Sequence, residues 1–234
     1  MIMVGSVLLI ILWVYRHGRS VYMPIAQKFS SGQTVASVEA QLLDPVWQRL
    51  RGELKSAGFA TWPEGLLYVA FKQEGLLEVY GRDDSSAPWV RIKRYPFTAK
   101  SGRLGPKLRE GDRQIPEGIY NTEYLNPNSS YHLSIKLNYP NEFDLEKANA
   151  EGRTEPGSDI FIHGKAVSIG CIALGDVAIE ELFILTSRLS SGHQVIIAPW
   201  DFRVRPDYPV ISEVTWEREL YDALKTALQR VGGR

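Results

Sequence analysis

The apolar residues of this chain fall into runs of different kinds, and each kind predicts a different element. Met1 to Tyr15 (MIMVGSVLLIILWVY) carries no charge, and only Gly5 and Ser6 break it. Spanning a bilayer takes about 20 apolar residues, so the run is short and nearer a signal segment. No Lys or Arg precedes it, whereas Arg16 and Arg19 follow it, the reverse of a secretory leader. By charge order alone the following chain would face the cytoplasm. Two explanations fit: the natural start lies upstream of Met1, or the segment is a weak uncleaved anchor. A buried core helix is the competing reading, since the run is apolar on every face. We expect residues 1–20 to be a signal or anchor segment and residues 21–64 a tether with a short helix. That helix has Asp44 as its cap, Pro45 in its first turn, and Val46, Leu50 and Leu54 at helical spacing up to Gly58.

From Leu66 the period changes to that of strands. LLYVAFKQEGLLEVYGR reads as two extended runs joined at Glu74-Gly75. WVRIKRYPF (89–97), YHLSIKLNY (131–139) and DIFIHG (159–164) read as further strands, and HQVIIAPW (193–200) closes the series. A helix is predicted from Asp176 to about Ser190, with Ala178, Leu182, Leu185 and Leu189 on one face and Gly192 at its end. A last helix, near 212–230, presents Trp216, Leu220, Leu224 and Leu228. There is no internal repeat. The pattern predicts a β-rich α+β domain over residues 65–200, flanked by helices, with a helical extension over 201–234.

Composition narrows the function classes. The 234 residues carry 27 basic and 27 acidic side chains, with 44% hydrophobic and 23% charged residues, as a folded domain should. A net charge of zero argues against nucleic acid as a partner. One cysteine, Cys171, excludes an intramolecular disulfide and a cysteine-cluster metal site. The histidines His17, His132, His163 and His193 are too scattered for a histidine-rich one. We therefore expect no metal, and no organic cofactor either, since nucleophile, base and oxyanion donors would all be protein groups. Charge is uneven, however: eight basic residues between Arg91 and Arg113 face only Glu110 and Asp112, a local excess of six. Such a patch would attract an anionic substrate; an ordinary solvated strand and loop is the alternative.

The stretch from Ser158 to Asp176 holds the candidate chemistry. A strand delivers His163, Gly164 frees the backbone, and a Ser-Ile-Gly turn presents Cys171. A thiol is only a few per cent thiolate at neutral pH, and a histidine within reach raises its reactive fraction. Gly170 leaves room for backbone N–H groups to stabilise an oxyanion. A buried structural cysteine with a structural histidine is the plain alternative, and a zinc site from His163 and Cys171 the weakest. His132 and His193 are read as structural, His17 as part of the basic flank, and the terminal helix as a packing element.

These residues resemble a known family. HGKAVSIGC, with GPKLREGDRQIPEGIY (105–120) upstream, resembles the YkuD-type L,D-transpeptidase catalytic domain. NPNSSYHLSIKLNYPNEFD (126–144) and the short His-to-Cys spacing resemble its YafK-like branch. The resemblance covers about residues 65–200. It implies a bacterial cell-wall enzyme with a role in wall biogenesis and cell shape, which attacks the L-centred carbonyl of the diamino acid in a peptidoglycan stem peptide through a cysteine acyl-enzyme. It implies Cys171 as nucleophile, His163 as base, and the carbonyl of Gly164 as the group that orients the imidazole. It also implies oxyanion donors at the Gly170-Cys171 turn, Ser168 as a buttress of that turn, and Tyr120 on the substrate cleft. Ile169 stands where the broad family has a second histidine, and Ala173 replaces a polar or basic residue. Some members of this branch are associated with hydrolytic release of wall-bound lipoprotein, a second candidate partner. The expected protein is a membrane-tethered transpeptidase on the periplasmic or cell-envelope side. A hydrolase, a non-catalytic wall-binding module, and a cytoplasmic protein starting at Met23 are its alternatives.

Overall fold

A computed structural model describes residues 32–189 and 192–231; the Met1–Tyr15 segment and His17 lie outside them. In chain order the described elements are α1 (Val35–Ser56), β1 (Gly65–Phe71), β2 (Leu76–Arg82), β3 (Val90–Pro96), β4 (Gly118–Asn126), β5 (Ser134–Leu137), α2 (Glu142–Ala150), β6 (Phe161–His163), β7 (Ile172–Ala173), α3 (Asp176–Ser187), β8 (Gln194–Ala198) and α4 (Glu217–Gln229). This is the expected β-rich α+β architecture.

The strands form one sheet in the order β3-β2-β1-β8-β4-β5-β6-β7. β1 pairs antiparallel with β2 and parallel with β8. Alternate residues of β1 enter different cores: Leu66, Tyr68 and Ala70 pack with α1 and α3, whereas Leu67, Val69 and Phe71 pack with α4, Trp200 and Phe202. A strand covered on both faces has no polar side, which is why LLYVAF reads as an unbroken apolar run. At the far edge, the segment leaving β3 returns to β7. Thr98 N–H donates to Ala173 O at 2.9 Å, and Ala99 bridges Ala173. The sheet is thereby curled, with its edge strand β7 tied to the segment that follows β3.

α1 begins nine residues before the expected cap. Pro45 lies inside it and Asp44 does not cap it. An interior proline removes one helical hydrogen bond, but Val38 is buried and Val35 and Leu42 pack against the core, so tertiary contacts carry the helix through. Its stop is as expected: Gly58 has φ +95, and Phe59 N–H reaches back to Leu54 O at 2.9 Å. Three elements lie outside the sequence expectations, β4, α2 and the two-residue β7. The second starts with a reciprocal cap, in which Asn141 and Asp144 each accept the other's N–H. His132 is not in a strand, as its pattern suggested. It turns the chain at φ +75 before β5, and its Nε2 contacts Glu180 Oε1 at 2.9 Å.

Candidate active site

β6 and β7 run parallel with His163 opposite Ala173 and Ile162 opposite Ile172. Cys171 therefore stands one residue before β7, level with Phe161. Both His163 and Cys171 open on one cavity of about 570 Å³, which Tyr131, Phe161, Ser168 and Arg113 also line.

His163 is 3% exposed. Its Nδ1 lies 2.6 Å from the carbonyl oxygen of Gly164. A carbonyl can only accept, so Nδ1 carries the proton and Nε2 is left with its lone pair. Tyr131 covers the ring, with centroids 4.6 Å apart and planes inclined at 35°. Burial lowers the histidine's pKa, opposed by the bond to Gly164. Burial also pushes the Cys171 thiol up, with the Asp159 charge adding to it. The Phe161 N–H and the Lys107 and Lys136 charges oppose that rise. Both shifts favour a neutral resting pair, a thiol beside an imidazole. The Cys171 Sγ has a long contact, 3.7 Å, to Asp159 O.

The turn between them is braced from several sides. Ser168 Oγ donates to Cys171 O at 2.7 Å and accepts from Gly170 N–H at 3.3 Å. Gly170 has φ +123 and faces the Gln114 carbonyl, where a Cβ would come within 3.1 Å. Gly164 has no such left-handed backbone. It is glycine because a Cβ would meet Asp176 Oδ1 and Tyr131 O at 2.7 Å each. That Asp176 carboxylate accepts Lys165 N–H at 2.8 Å, fastening the exit of β6 to the start of α3.

Another wall is the loop before β4, and buried charges anchor it. Lys72 Nζ pairs with Glu117 at 3.0 Å, and the same carboxylate accepts from Gly105 N–H and Tyr221 OH, both at 2.8 Å. Asp112 accepts from Lys107 Nζ at 2.7 Å and from the N–H groups of Leu108, Arg109 and Gln114. Burial pushes its carboxyl up, but these bonds hold it below the usual range.

Two expectations need correction. Tyr120 does not line this cavity: it is fully buried, with its hydroxyl 3.3 Å from Glu117 O and from Asp144 Oδ1. It faces inward, with its ring edge-on to Tyr139 and its hydroxyl toward Asp144 of α2. The basic excess is not a patch either. Arg91 and Arg94 pair with Glu78, Lys93 with Glu181, Arg103 with Glu213 and Lys107 with Asp112. Lys100 reaches the Gln73 carbonyl at 2.8 Å. Tyr131, stacked on the imidazole, was missed. It belongs to a loop, and no sequence periodicity marks a ring that contacts a residue across the sheet. Among the described residues no three His, Cys, Asp or Glu side chains converge as metal ligands.

Comparison with known proteins identifies the frame. A family model described as the L,D-transpeptidase catalytic domain YkuD matches residues 67–197. YafK of Escherichia coli strain K12, named provisionally as an L,D-transpeptidase, is 36% identical over 136 residues, which cover 56% of this chain and 52% of that protein. The chain thus spans about half the length of the curated relatives it matches. Among solved structures, Bd1075 of Bdellovibrio bacteriovorus aligns over 72% of this chain and 55% of that one, at 22% identity and a TM-score of 0.43. Pgp2, the helical cell shape determining protein of Campylobacter jejuni, aligns over 78% and 77%, at 17% identity and a TM-score of 0.46.

Proposed function

The chain belongs to the YkuD family of L,D-transpeptidase catalytic domains, and from that premise we propose that it is a cysteine acyltransferase acting on peptidoglycan stem peptides. The observation that supports this most is the shared cavity of His163 and Cys171, with the imidazole fixed by Gly164 so that Nε2 is the free base. Cys171 Sγ attacks the L-centred carbonyl of the stem's diamino acid while His163 Nε2 takes the thiol proton. The tetrahedral oxyanion draws on N–H groups of the turn ending at Cys171. The Gly170 N–H, at 3.3 Å from Ser168 Oγ, is weakly engaged and available to a stronger acceptor. Collapse breaks the C–N bond, His163 returns its proton to the departing amine, and a thioester remains on Cys171. An acceptor amine, deprotonated by the same imidazole, then takes the acyl group and the thiol is restored. Peptidoglycan as substrate puts the protein on the envelope side of the inner membrane, in keeping with an exported or tethered N-terminus.

Water in place of the amine would make the protein a hydrolase of stem-linked partners, a wall-linked lipoprotein among them. An open rim favours that reading: Val167 and Ile169, in the short loop before Cys171, are 55% and 74% exposed. Incubation of the full-length protein with tetrapeptide muropeptides separates the outcomes. Loss of D-Ala with a new dimer mass means transpeptidation, and shortened stems without dimers mean hydrolysis. If Cys171→Ala releases the same products, the cysteine reading is wrong.

A further inference from the structure

Of the basic residues between Arg91 and Arg113, most are committed to carboxylates or carbonyls elsewhere. Among the described residues Arg109 and Arg113 have no ion-pair partner, and of these two only Arg113 lines the cavity. The other cation on that wall, Lys107, is bound to Asp112 at 2.7 Å and to Arg109 O at 2.9 Å. Glu110, an acidic neighbour, accepts Ser158 N–H at 3.0 Å. Among the described residues, Arg113 is therefore the cation lining the cavity whose guanidinium donors are unspent.

Its backbone fixes where that guanidinium starts. Arg113 has φ +59, a conformation that side chains with a Cβ rarely adopt. The Asp112 carboxylate holds the flanking N–H groups of Arg109 and Gln114 and so imposes the turn. The Arg113 carbonyl carbon would lie 3.7 Å from a Cβ placed on Gly170, the residue before the nucleophile. The arginine thus arises beside the turn that presents Cys171. One extended residue spans about 3.5 Å, so a carboxylate one residue beyond the scissile carbonyl falls within a guanidinium's reach.

We propose that Arg113 is a specificity-determining residue that binds the free terminal carboxylate of the donor peptide, on the residue that departs when the acyl-enzyme forms. Planar, bidentate pairing suits guanidinium to carboxylate. The site then selects donors whose scissile amide is the last in the chain. This assignment rests on the acyltransferase reading above.

The test is the rate of Cys171 acyl-enzyme formation, followed by intact mass, with the full-length protein and a stem tetrapeptide as free acid or terminal amide. Wild type should prefer the free acid by about tenfold or more. Arg113→Gln and Arg113→Gly should bring that ratio close to one, and Arg113→Lys should keep part of it. Glycine tolerates φ +59, so Arg113→Gly should melt no lower than wild type, which separates lost recognition from lost folding. A wild type that acylates both donors equally, or an Arg113→Gly variant that keeps the preference, overturns the assignment and leaves the acyltransferase reading standing. No acyl-enzyme with either donor overturns both.

Discussion

The imidazole of His163 donates its Nδ1–H to the carbonyl of the next residue, Gly164, at 2.6 Å. The histidine thus takes its tautomer from its own backbone rather than from a carboxylate, and the peptide unit of Gly164 becomes part of the site. That unit has no spare room. Gly164→Ala would press a methyl group on the Tyr131 carbonyl and on Asp176 Oδ1. Overpacking of this kind destabilises by about 1–3 kcal/mol. The acylation rate should fall further than that loss explains, because the Gly164 carbonyl must shift. Urea unfolding and acylation kinetics on the same variant check it, and an unchanged rate would remove Gly164 from the site.

The neutral resting pair sets the pH behaviour. Burial lowers the His163 pKa and raises that of Cys171. The acid limb of kcat/KM should therefore lie below about 6.5, the ordinary histidine value, with a flat neutral region. Iodoacetamide should alkylate Cys171 at pH 7.5 more slowly than a free cysteine peptide, by about threefold or more, and the rate should still climb past pH 9. A raised thiol pKa also means stability that is full at neutral pH and lost as pH rises through the folded value. Fast alkylation at pH 6 would instead indicate a thiolate–imidazolium pair.

Asp144 gives a stability signature of the opposite kind. It caps α2 and contacts the Tyr120 hydroxyl, and burial pushes its pKa up to about 6. A raised carboxyl contributes stability fully below its unfolded value of about 3.9, and loses it as pH rises through the folded one. Asp144→Asn keeps an oxygen for the Asn141 N–H. Its Tm advantage over wild type should grow by about 3 °C between pH 5 and pH 8. An advantage that shrinks over that range would show that the ionised form is the stabilising one.

How much of this was legible in the sequence follows from how local each feature is. The run LLYVAF marked a strand covered on both faces, and the apolar repeat from Ala178 to Leu189 marked α3, because those patterns lie in adjacent residues. HGKAVSIGC marked the two reactive side chains for the same reason. α1 was shortened because Pro45 and Asp44 are ordinary start signals, and the packing of Val38 that overrides them is tertiary. The basic stretch was misjudged because its partners are remote: Lys93 meets Glu181, and the Glu78 that holds Arg94 also binds Arg203. Tyr120 was carried to the cleft by its place in a motif, and no local pattern showed which way β4 faces.

The most direct test of the central claim is intact-mass analysis of the full-length protein with a stem tetrapeptide, in wild type, Cys171→Ala and His163→Ala. A mass increase equal to the donor less its terminal D-Ala, mapped to Cys171 by peptide digestion, is the predicted result. Cys171→Ala should show none, and His163→Ala should form the adduct about 10²–10⁴-fold more slowly. An adduct that persists in Cys171→Ala, or release of D-Ala at the wild-type rate by that variant, would contradict the account.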